Sequence, residues 1–229
     1  MKTPILLALL ASSLLAKDIP LAVVVRVKGG VTAGPPKALK PVKSGDVISK
    51  DWVVKTESDG SALLRLLKDK SLADVKKSST VELDARSNGA GTVQDIAVLA
   101  GEVAFQVPPG GDGGKARSET TVATAKGAQF GMSTATNGST RVDVLTGTVQ
   151  VCNQMTGEHQ SVRSGQSLVS GYEGFGELRQ VASDSSLARM DAPSNRTVPA
   201  EQTTQLQVPF TDPVTGKTST LVVQVKLNR

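Results

Sequence analysis

Two pairs of carboxylates are the residues whose type and spacing could carry out chemistry. Asp46 precedes Asp51, and Asp69 precedes Asp74, by five positions each. Cleavage of a polysaccharide needs one carboxyl group as an acid and a second as a base or nucleophile across a cleft. Such clefts also use aromatic platforms, yet the sequence holds one Trp, one Tyr and four Phe. We therefore keep a carbohydrate-active enzyme only as a third hypothesis, and we predict that Asp46 caps a turn.

The single histidine and the single cysteine do not form a second reactive set. His159 has no other histidine with which to share a metal, and Cys152 has no cysteine with which to form an intramolecular disulfide. The stretch TGEHQ around His159 predicts an exposed turn. We expect Cys152 to pack as a small apolar residue, with an intermolecular disulfide or a redox role as alternatives. Motifs of serine nucleophiles and phosphate loops are missing from the sequence. We predict no enzyme, and assign no catalytic, cofactor-binding or metal-binding residue.

The elements that carry these residues are predicted to be short β-strands. Hydrophobic residues make up 38% of the chain and aromatic residues only 3%, so the core must be built from small, mainly β-branched side chains. From Leu21 onward, short alternating runs are separated by turn sequences, without a pattern of helix length. We predict an all-β fold, namely a β-solenoid-like stack of short strands, with a β-sandwich as the alternative.

Two glycines interrupt the alternation in the same way. In TRVDVLTGTVQV (140–151) the valines before Gly147 occupy even positions and those after it odd positions. LAGEVAFQV (99–107) shows the same change at Gly101. Because successive strand side chains point to opposite faces, a straight strand would expose half of these apolar residues. We predict that both glycines form corners or bulges.

The N-terminus is typical of a secretory signal peptide. Residues 1–16 combine Lys2 with an apolar run that is shorter than the ~20 residues of a membrane-spanning helix. We predict cleavage after Ala16, with cleavage after Ser13 as the alternative. No membrane span is then expected in the mature chain.

Three further segments follow from composition. We predict a β domain over 17–183, a polar, proline-interrupted linker over 184–204 and a C-terminal β-hairpin over 205–229. An isolated hairpin is marginal in water, so we expect this one to dock on the main body or on another chain.

Basic residues are concentrated in the first half of the chain. Residues 17–86 hold 14 Lys or Arg against 9 Asp or Glu, whereas residues 87–229 hold 11 against 12. Such a surface could bind anionic polysaccharide or peptidoglycan, although lysines that protect a solvated sheet edge are the simpler interpretation. No nucleic-acid partner is predicted, because the basic residues are not interleaved with stacking aromatics.

Six motifs in order resemble the FecR-type domain, the exported signal-receiving domain of bacterial regulators that sense loading of outer-membrane iron transporters. The motifs are VKGGV (27–31), VKSGDVISKDWVVKTESDGSALLRLLKDKSLADVKKSSTVEL (42–83), LAGEVAFQV (99–107), TTVATAKGAQFGMST (120–134), TRVDVLTGTVQV (140–151) and VRSGQSLV (162–169). Two turns depart from the usual sequence, at Lys68–Ser71 and at Gly127-Ala128. Regulators of this family carry an anti-sigma segment and a membrane span before the domain, whereas here it follows the signal peptide directly.

The resemblance therefore implies a stand-alone exported β-domain. Our leading hypothesis is a non-enzymatic binding or signal-receiving module of the bacterial envelope, periplasmic or on the cell surface. It would contact an envelope protein partner, with open strands or the C-terminal ribbon as edges for β-augmentation. The alternative is a structural envelope protein that binds anionic polysaccharide or peptidoglycan through its basic N-terminal half. The oligomeric state is left open.

Overall fold

The computed structural model describes residues 19–88, 91–110, 113–181, 203–211 and 218–226. The predicted signal peptide with its cleavage site, and most of the predicted linker, lie outside these residues. The chain divides into two units, Met1–Ala188 and Arg189–Arg229. We call the described residues 19–181 the body.

Regular structure in the described residues consists of β-strands, which confirms the all-β prediction. The strands of the body are β1 (Pro20–Lys28), β2 (Val31–Gly34), β3 (Lys40–Pro41), β4 (Val47–Ser49), β5 (Trp52–Thr56), β6 (Ser61–Leu66), β7 (Leu72–Val75), β8 (Thr80–Asn88), β9 (Gly91–Val107), β10 (Gly114–Arg117), β11 (Thr121–Ala125), β12 (Ala128–Thr134), β13 (Thr140–Thr146), β14 (Thr148–Asn153), β15 (His159–Arg163), β16 (Gln166–Gly171), β17 (Gly174–Phe175) and β18 (Arg179–Gln180).

The body strands pair in two groups that share β9. Group one runs, in order of pairing, through β4, β1, β6, β7, β9, β12, β13 and β16, with β17 and β18 both on β16. Group two runs through β3, β2, β5, β8, β9, β10, β11, β14 and β15. The pairings are antiparallel except that of β9 with β10, which is parallel.

Gly101 and Gly147 are the corners that the change of alternation predicted. The first half of β9 pairs with β8 and β10, and the second half pairs with β7 and β12. Gly147 likewise separates β13 of group one from β14 of group two. Their φ angles are +88° and +81°, a region that glycine adopts readily and β-branched residues avoid. Since the chain changes group at each corner, the apolar residues on both sides of it face the same interior.

One hydrophobic core receives side chains from both groups. The valines that flank Gly147 are at most 1% exposed, as expected for a corner that keeps both sets inside. Among the residues that the structure describes, aromatic packing is limited to a stack of Phe105 on Phe130, whose ring centroids are 4.9 Å apart. Each buried valine or leucine contributes about 1.5–3 kcal/mol, so the small side chains stabilise the body through their number.

Side-chain hydroxyls tie successive corners together. Thr56 Oγ1 at the end of β5 donates to the Lys76 carbonyl at 2.6 Å and accepts from the Ser79 N–H at 2.9 Å. Ser79 Oγ in turn accepts from the Glu102 N–H at 2.9 Å, beside the corner of β9. These bonds satisfy backbone groups that the ladders leave unpaired where the chain changes direction.

The second unit contains two described strands, β19 (Thr203–Thr211) and β20 (Thr218–Lys226). They pair antiparallel from Thr203 opposite Lys226 to Thr211 opposite Thr218. β20 lies within the predicted hairpin of 205–229, whereas β19 begins two residues earlier, at Thr203, in the stretch predicted as linker. The described part of the chain contains no helix long and apolar enough to cross a membrane.

Candidate functional site

The first carboxylate pair is used locally. Asp46 Oδ2 accepts from the Lys43 N–H at 2.9 Å, which is the turn cap that the sequence predicts. Asp51 has a φ of +62°, and its carboxylate lies 3.8 Å from Lys50 Nζ. Each carboxylate therefore serves its own turn.

The second pair is also held by near neighbours in sequence. Asp69 accepts from the Ser71 N–H at 3.0 Å and from the Ser71 hydroxyl at 2.5 Å. Asp74 lies 2.7 Å from Lys76 Nζ. These contacts give the four aspartates structural partners, and none of them describes an acid and a base across a cleft.

Cys152 and His159 are neighbours across the β14–β15 pair, which their separation in sequence did not predict. The distance between Cys152 Sγ and His159 Nε2 is 3.8 Å. Cys152 is half-buried and His159 is exposed. No three His, Cys, Asp or Glu side chains gather into a possible metal site within the described residues.

β15 is an edge strand, and in the described residues it pairs with β14 alone. The Asn153 N–H donates to the Glu158 carbonyl at 2.9 Å, and the Ser164 N–H donates to the Gly147 carbonyl at 3.0 Å. These bonds bracket the ladder and fix its alternation, so every second residue of β15 bonds to β14. The residues between them, which include Ser161, direct their backbone groups to the open edge.

Two side-chain contacts agree with this alternation. The Arg163 N–H, which points away from β14, donates to Gln166 Oε1 at 2.9 Å. The Ser161 carbonyl, also on the open side, accepts from Gln160 Nε2 at 3.4 Å. The N–H groups of His159 and Ser161 lie on the same open side. The edge therefore presents backbone donors to an incoming strand.

The opposite end of group two is protected from strand addition. There β3 has two residues, and the Val42 N–H donates to the Val31 carbonyl at 3.2 Å. By the same alternation Pro41 faces the open side, where proline offers no N–H. In group one the end strands β4, β17 and β18 have three residues or fewer. β15, with five residues, is the longest single-partner strand of the body as described.

A polar depression lies beside the start of β15. It has a volume of about 540 Å³. Its lining comes from the β12–β13 turn and the β16–β17 turn, namely Asn137, Ser139, Gly171, Tyr172, Glu173, Gly174, Phe175 and Gly176. Tyr172 is 51% exposed, so one of the few aromatic side chains of the chain faces solvent here. A hydrogen bond to Glu119, partial desolvation and the charge of that carboxylate raise the pKa of Tyr172 above 10.0.

Glu158 joins the depression to the edge strand. Its Oε2 accepts from the Thr156 hydroxyl at 2.9 Å, within the β14–β15 turn. The same oxygen accepts from the Phe175 N–H at 3.3 Å, in β17. We call the open edge of β15, the 154–158 turn and the 172–175 turn together the β15 surface.

The Asn153 side chain is hydrogen-bonded to both turns of the β15 surface. This side chain is fully buried and makes four hydrogen bonds. Nδ2 donates to the Ser170 hydroxyl at 2.9 Å and to the Gly171 carbonyl at 2.7 Å. Oδ1 accepts from the N–H groups of Met155 and Thr156 at 2.8 and 3.0 Å. An amide is suited to this position because it supplies donors to one turn and an acceptor to the other.

Buried hydroxyls fix the third turn around the depression. Thr140 Oγ1 donates to Ser118 Oγ at 2.8 Å. Thr120 Oγ1 donates to the Gly138 carbonyl at 2.9 Å, in the β12–β13 turn. Sequence reasoning assigned no role to Asn153 or Tyr172. The sequence did offer a signal for each. Asn153 is a polar residue at the end of a valine-rich strand, and Tyr172 is the one tyrosine of the chain.

Comparison with known proteins gives a family match for part of the chain. The family model described as FecR protein matches residues 53–150. Residues 53–150 therefore resemble a FecR domain. The matched residues run from β5 into β14, so the FecR match ends before β15 and before the turn that carries Tyr172.

Solved structures give a weaker likeness. Two crystal structures of a candidate anti-sigma factor from Parabacteroides distasonis ATCC 8503, at 1.65 and 2.50 Å resolution, are each 14% identical to this chain. Their TM-scores are 0.47 and 0.46, and each match covers 58% of this chain and 61% of the other. The chain thus spans about 61% of the length of the proteins that it matches. No curated protein matches the sequence.

Proposed function

We propose that this FecR-domain chain is an exported, non-enzymatic module that receives a signal by binding an envelope protein through the β15 surface. The observation that carries the proposal is the open edge of β15, whose backbone donors face outward just after the segment that matches the FecR family. A partner strand that adds to this edge would gain main-chain hydrogen bonds. Tyr172 beside the edge would give the contact an aromatic anchor of the kind that dominates protein interfaces.

We also infer that the body is a solenoid-like stack. Successive strands pass between the two groups at corners such as Gly101 and Gly147, and hydroxyl bonds link one corner to the next. Repetition of one corner along both groups favours stacked coils over the Greek-key connections of a sandwich. The pairing order supports this inference because each group adds strands mainly in chain order.

The binding proposal is tested at Ser161. Its N–H points to the open edge, so proline removes one edge donor and leaves the bonds between β14 and β15 intact. Ser161→Ala is the matched control, since both variants lose the bond of 2.9 Å between the Ser161 hydroxyl and Gln150 Oε1. In a native host from which the gene has been deleted, complementation with the wild type or with Ser161→Ala should restore the transcript profile of the undeleted host. Complementation by Ser161→Pro should not.

Two results would contradict this function. Equal complementation by both variants, at equal protein levels, would show that the β15 edge is not used. Salt-sensitive binding to isolated cell walls that Ser161→Pro leaves unchanged would favour the structural alternative, in which the basic N-terminal half binds anionic polymer.

Export has a separate test. Mass spectrometry of the chain recovered from the envelope fraction should give an N-terminus at Lys17, or at Leu14 if cleavage follows Ser13. Recovery from the cytoplasm with Met1 intact would contradict export and leave the binding test at Ser161 unaffected.

A further inference from the structure

A groove lies at the end of the body opposite β15. Its volume is about 450 Å³. It is formed by the end of β2, the segment that follows it, and the strands β3, β4 and β5. The lining residues are Ala33, Gly34, Pro35, Ala38, Lys40, Pro41, Val42, Asp46, Val47 and Trp52.

The walls of this groove are mainly apolar. Trp52 is half-buried and packs partly against the core, so one part of its ring system is held in place while another part lines the groove. Pro35 and Pro41 are exposed, and Val47 on β4 is 45% exposed. Side chains of this kind bind apolar groups, since proline and valine side chains offer no hydrogen bond to a polar ligand.

The charge around the groove is positive. Lys40 is part of the lining, and Lys37 and Lys43 lie on the same short segment, all three exposed. The one carboxylate of the lining belongs to Asp46, which already accepts from the Lys43 N–H at 2.9 Å. A ligand that enters the groove therefore meets lysines at the rim, which favours carboxylates at its ends.

We propose that this groove binds an extended peptide segment of a protein partner, in which proline or aliphatic side chains are flanked by Asp or Glu. The apolar centre would lie against Trp52 and the prolines, and the carboxylates would lie near the lysines. Pro41 removes the edge donor of β3, so recognition here uses side chains rather than strand addition. An anionic glycan fits less well, because its hydroxyls would face apolar walls without hydrogen-bond partners. The site is independent of the β15 surface.

The first test is a selection of peptides. A display library of random octapeptides is selected on the full chain, with a Val47→Glu chain for counter-selection. Val47→Glu is suitable because the residue is 45% exposed, and the new charge should repel acidic ligands. Peptides that combine Asp or Glu with Pro, Leu, Ile or Val should be enriched on the wild type. Enrichment of basic peptides, or no enrichment over the counter-selected chain, would overturn the proposal.

The second test uses the single tryptophan as a reporter. Because Trp52 is the one Trp in the chain, a change in its fluorescence reports the groove directly. Titration with the most enriched acidic peptide should give a saturable change, and Lys40→Gln should weaken binding by about threefold, the loss expected for one exposed charge contact. Lys55→Gln, an exposed lysine of β5 that does not line the groove, is the matched control.

The glycan alternative is tested with the same reporter. Soluble polygalacturonate should leave Trp52 emission unchanged. A saturable change with polygalacturonate and none with the peptide would overturn the proposal in favour of a glycan site. Ser161→Pro should bind the peptide as the wild type does, so a failure of the β15 surface and a failure of the groove are separable.

Discussion

At the residue scale, Gly147 shows how one position decides which side chains are buried. A β-carbon at Gly147 would lie 2.6 Å from the Gly127 carbonyl oxygen, whereas one at Gly157 would meet nothing within 4 Å. Both glycines have positive φ. Gly157→Ala should therefore cost about 1 kcal/mol of unfolding free energy from backbone strain, and Gly147→Ala about 3 kcal/mol from strain plus the clash. Denaturant unfolding of the two variants checks this, and equal losses would contradict the corner geometry.

Tyr172 allows a second prediction at this scale. It is the one tyrosine of the chain, so a spectroscopic titration of phenolate reports this residue alone. Glu119 raises the pKa of Tyr172 because its carboxylate accepts a hydrogen bond from the protonated phenol and repels the phenolate charge. Glu119→Gln should lower that pKa toward 10.0, while Glu177→Gln, at another exposed carboxylate, should leave it unchanged. An unchanged titration in Glu119→Gln would show that the two side chains do not interact.

Gly147 and Tyr172 also show which features of the structure a sequence can predict. The corners at Gly101 and Gly147 were predictable because strand side chains alternate with a period of two, which is a local property. The contact of Tyr172 with Glu119 was not, since it joins residues 53 positions apart, one shortly before β11 and the other directly after β16. The fold class was accessible from local patterns, and the site was not.

At the scale of elements, Asn153 couples two turns that flank β15. Asn153→Ala would leave the Gly171 carbonyl and the N–H groups of Met155 and Thr156 without their partner. The expected loss is about 2–4 kcal/mol, together with faster amide hydrogen exchange in the 154–158 turn. Asn153→Asp keeps an acceptor for the two N–H groups, so exchange there should rise less. Equal exchange in both variants would contradict the role of Oδ1.

The open edge of β15 could not be derived at this scale from the sequence. Alternation predicts that HQSVR is a strand, but it does not state which strands lie beside it. The pairing of Cys152 with His159 follows from the same ladder, and it too depends on where the 154–158 turn reverses the chain. Pro41 is a partial exception, because proline in a short strand signals a protected edge.

At the scale of the whole body, β9 is the element that both groups share. It pairs with β7, β8, β10 and β12, so a loss of β9 removes support from both groups at once. A stack of repeated coils could otherwise lose its ends before its centre. We expect the body to unfold in one transition because its side chains form one core across both groups.

The chain contains its own pair of probes for this expectation. Trp52 lies toward one end of the body and Tyr172 toward the other, and each is the one residue of its type. Denaturant unfolding followed by tryptophan emission and by tyrosine difference absorbance should give the same midpoint. Val103→Ala, which opens a cavity at a fully buried position of β9, should cost about 2 kcal/mol of unfolding free energy and lower both midpoints equally. If the midpoints separate, or if the variant shifts one probe alone, the two halves of the body unfold independently and β9 does not couple them.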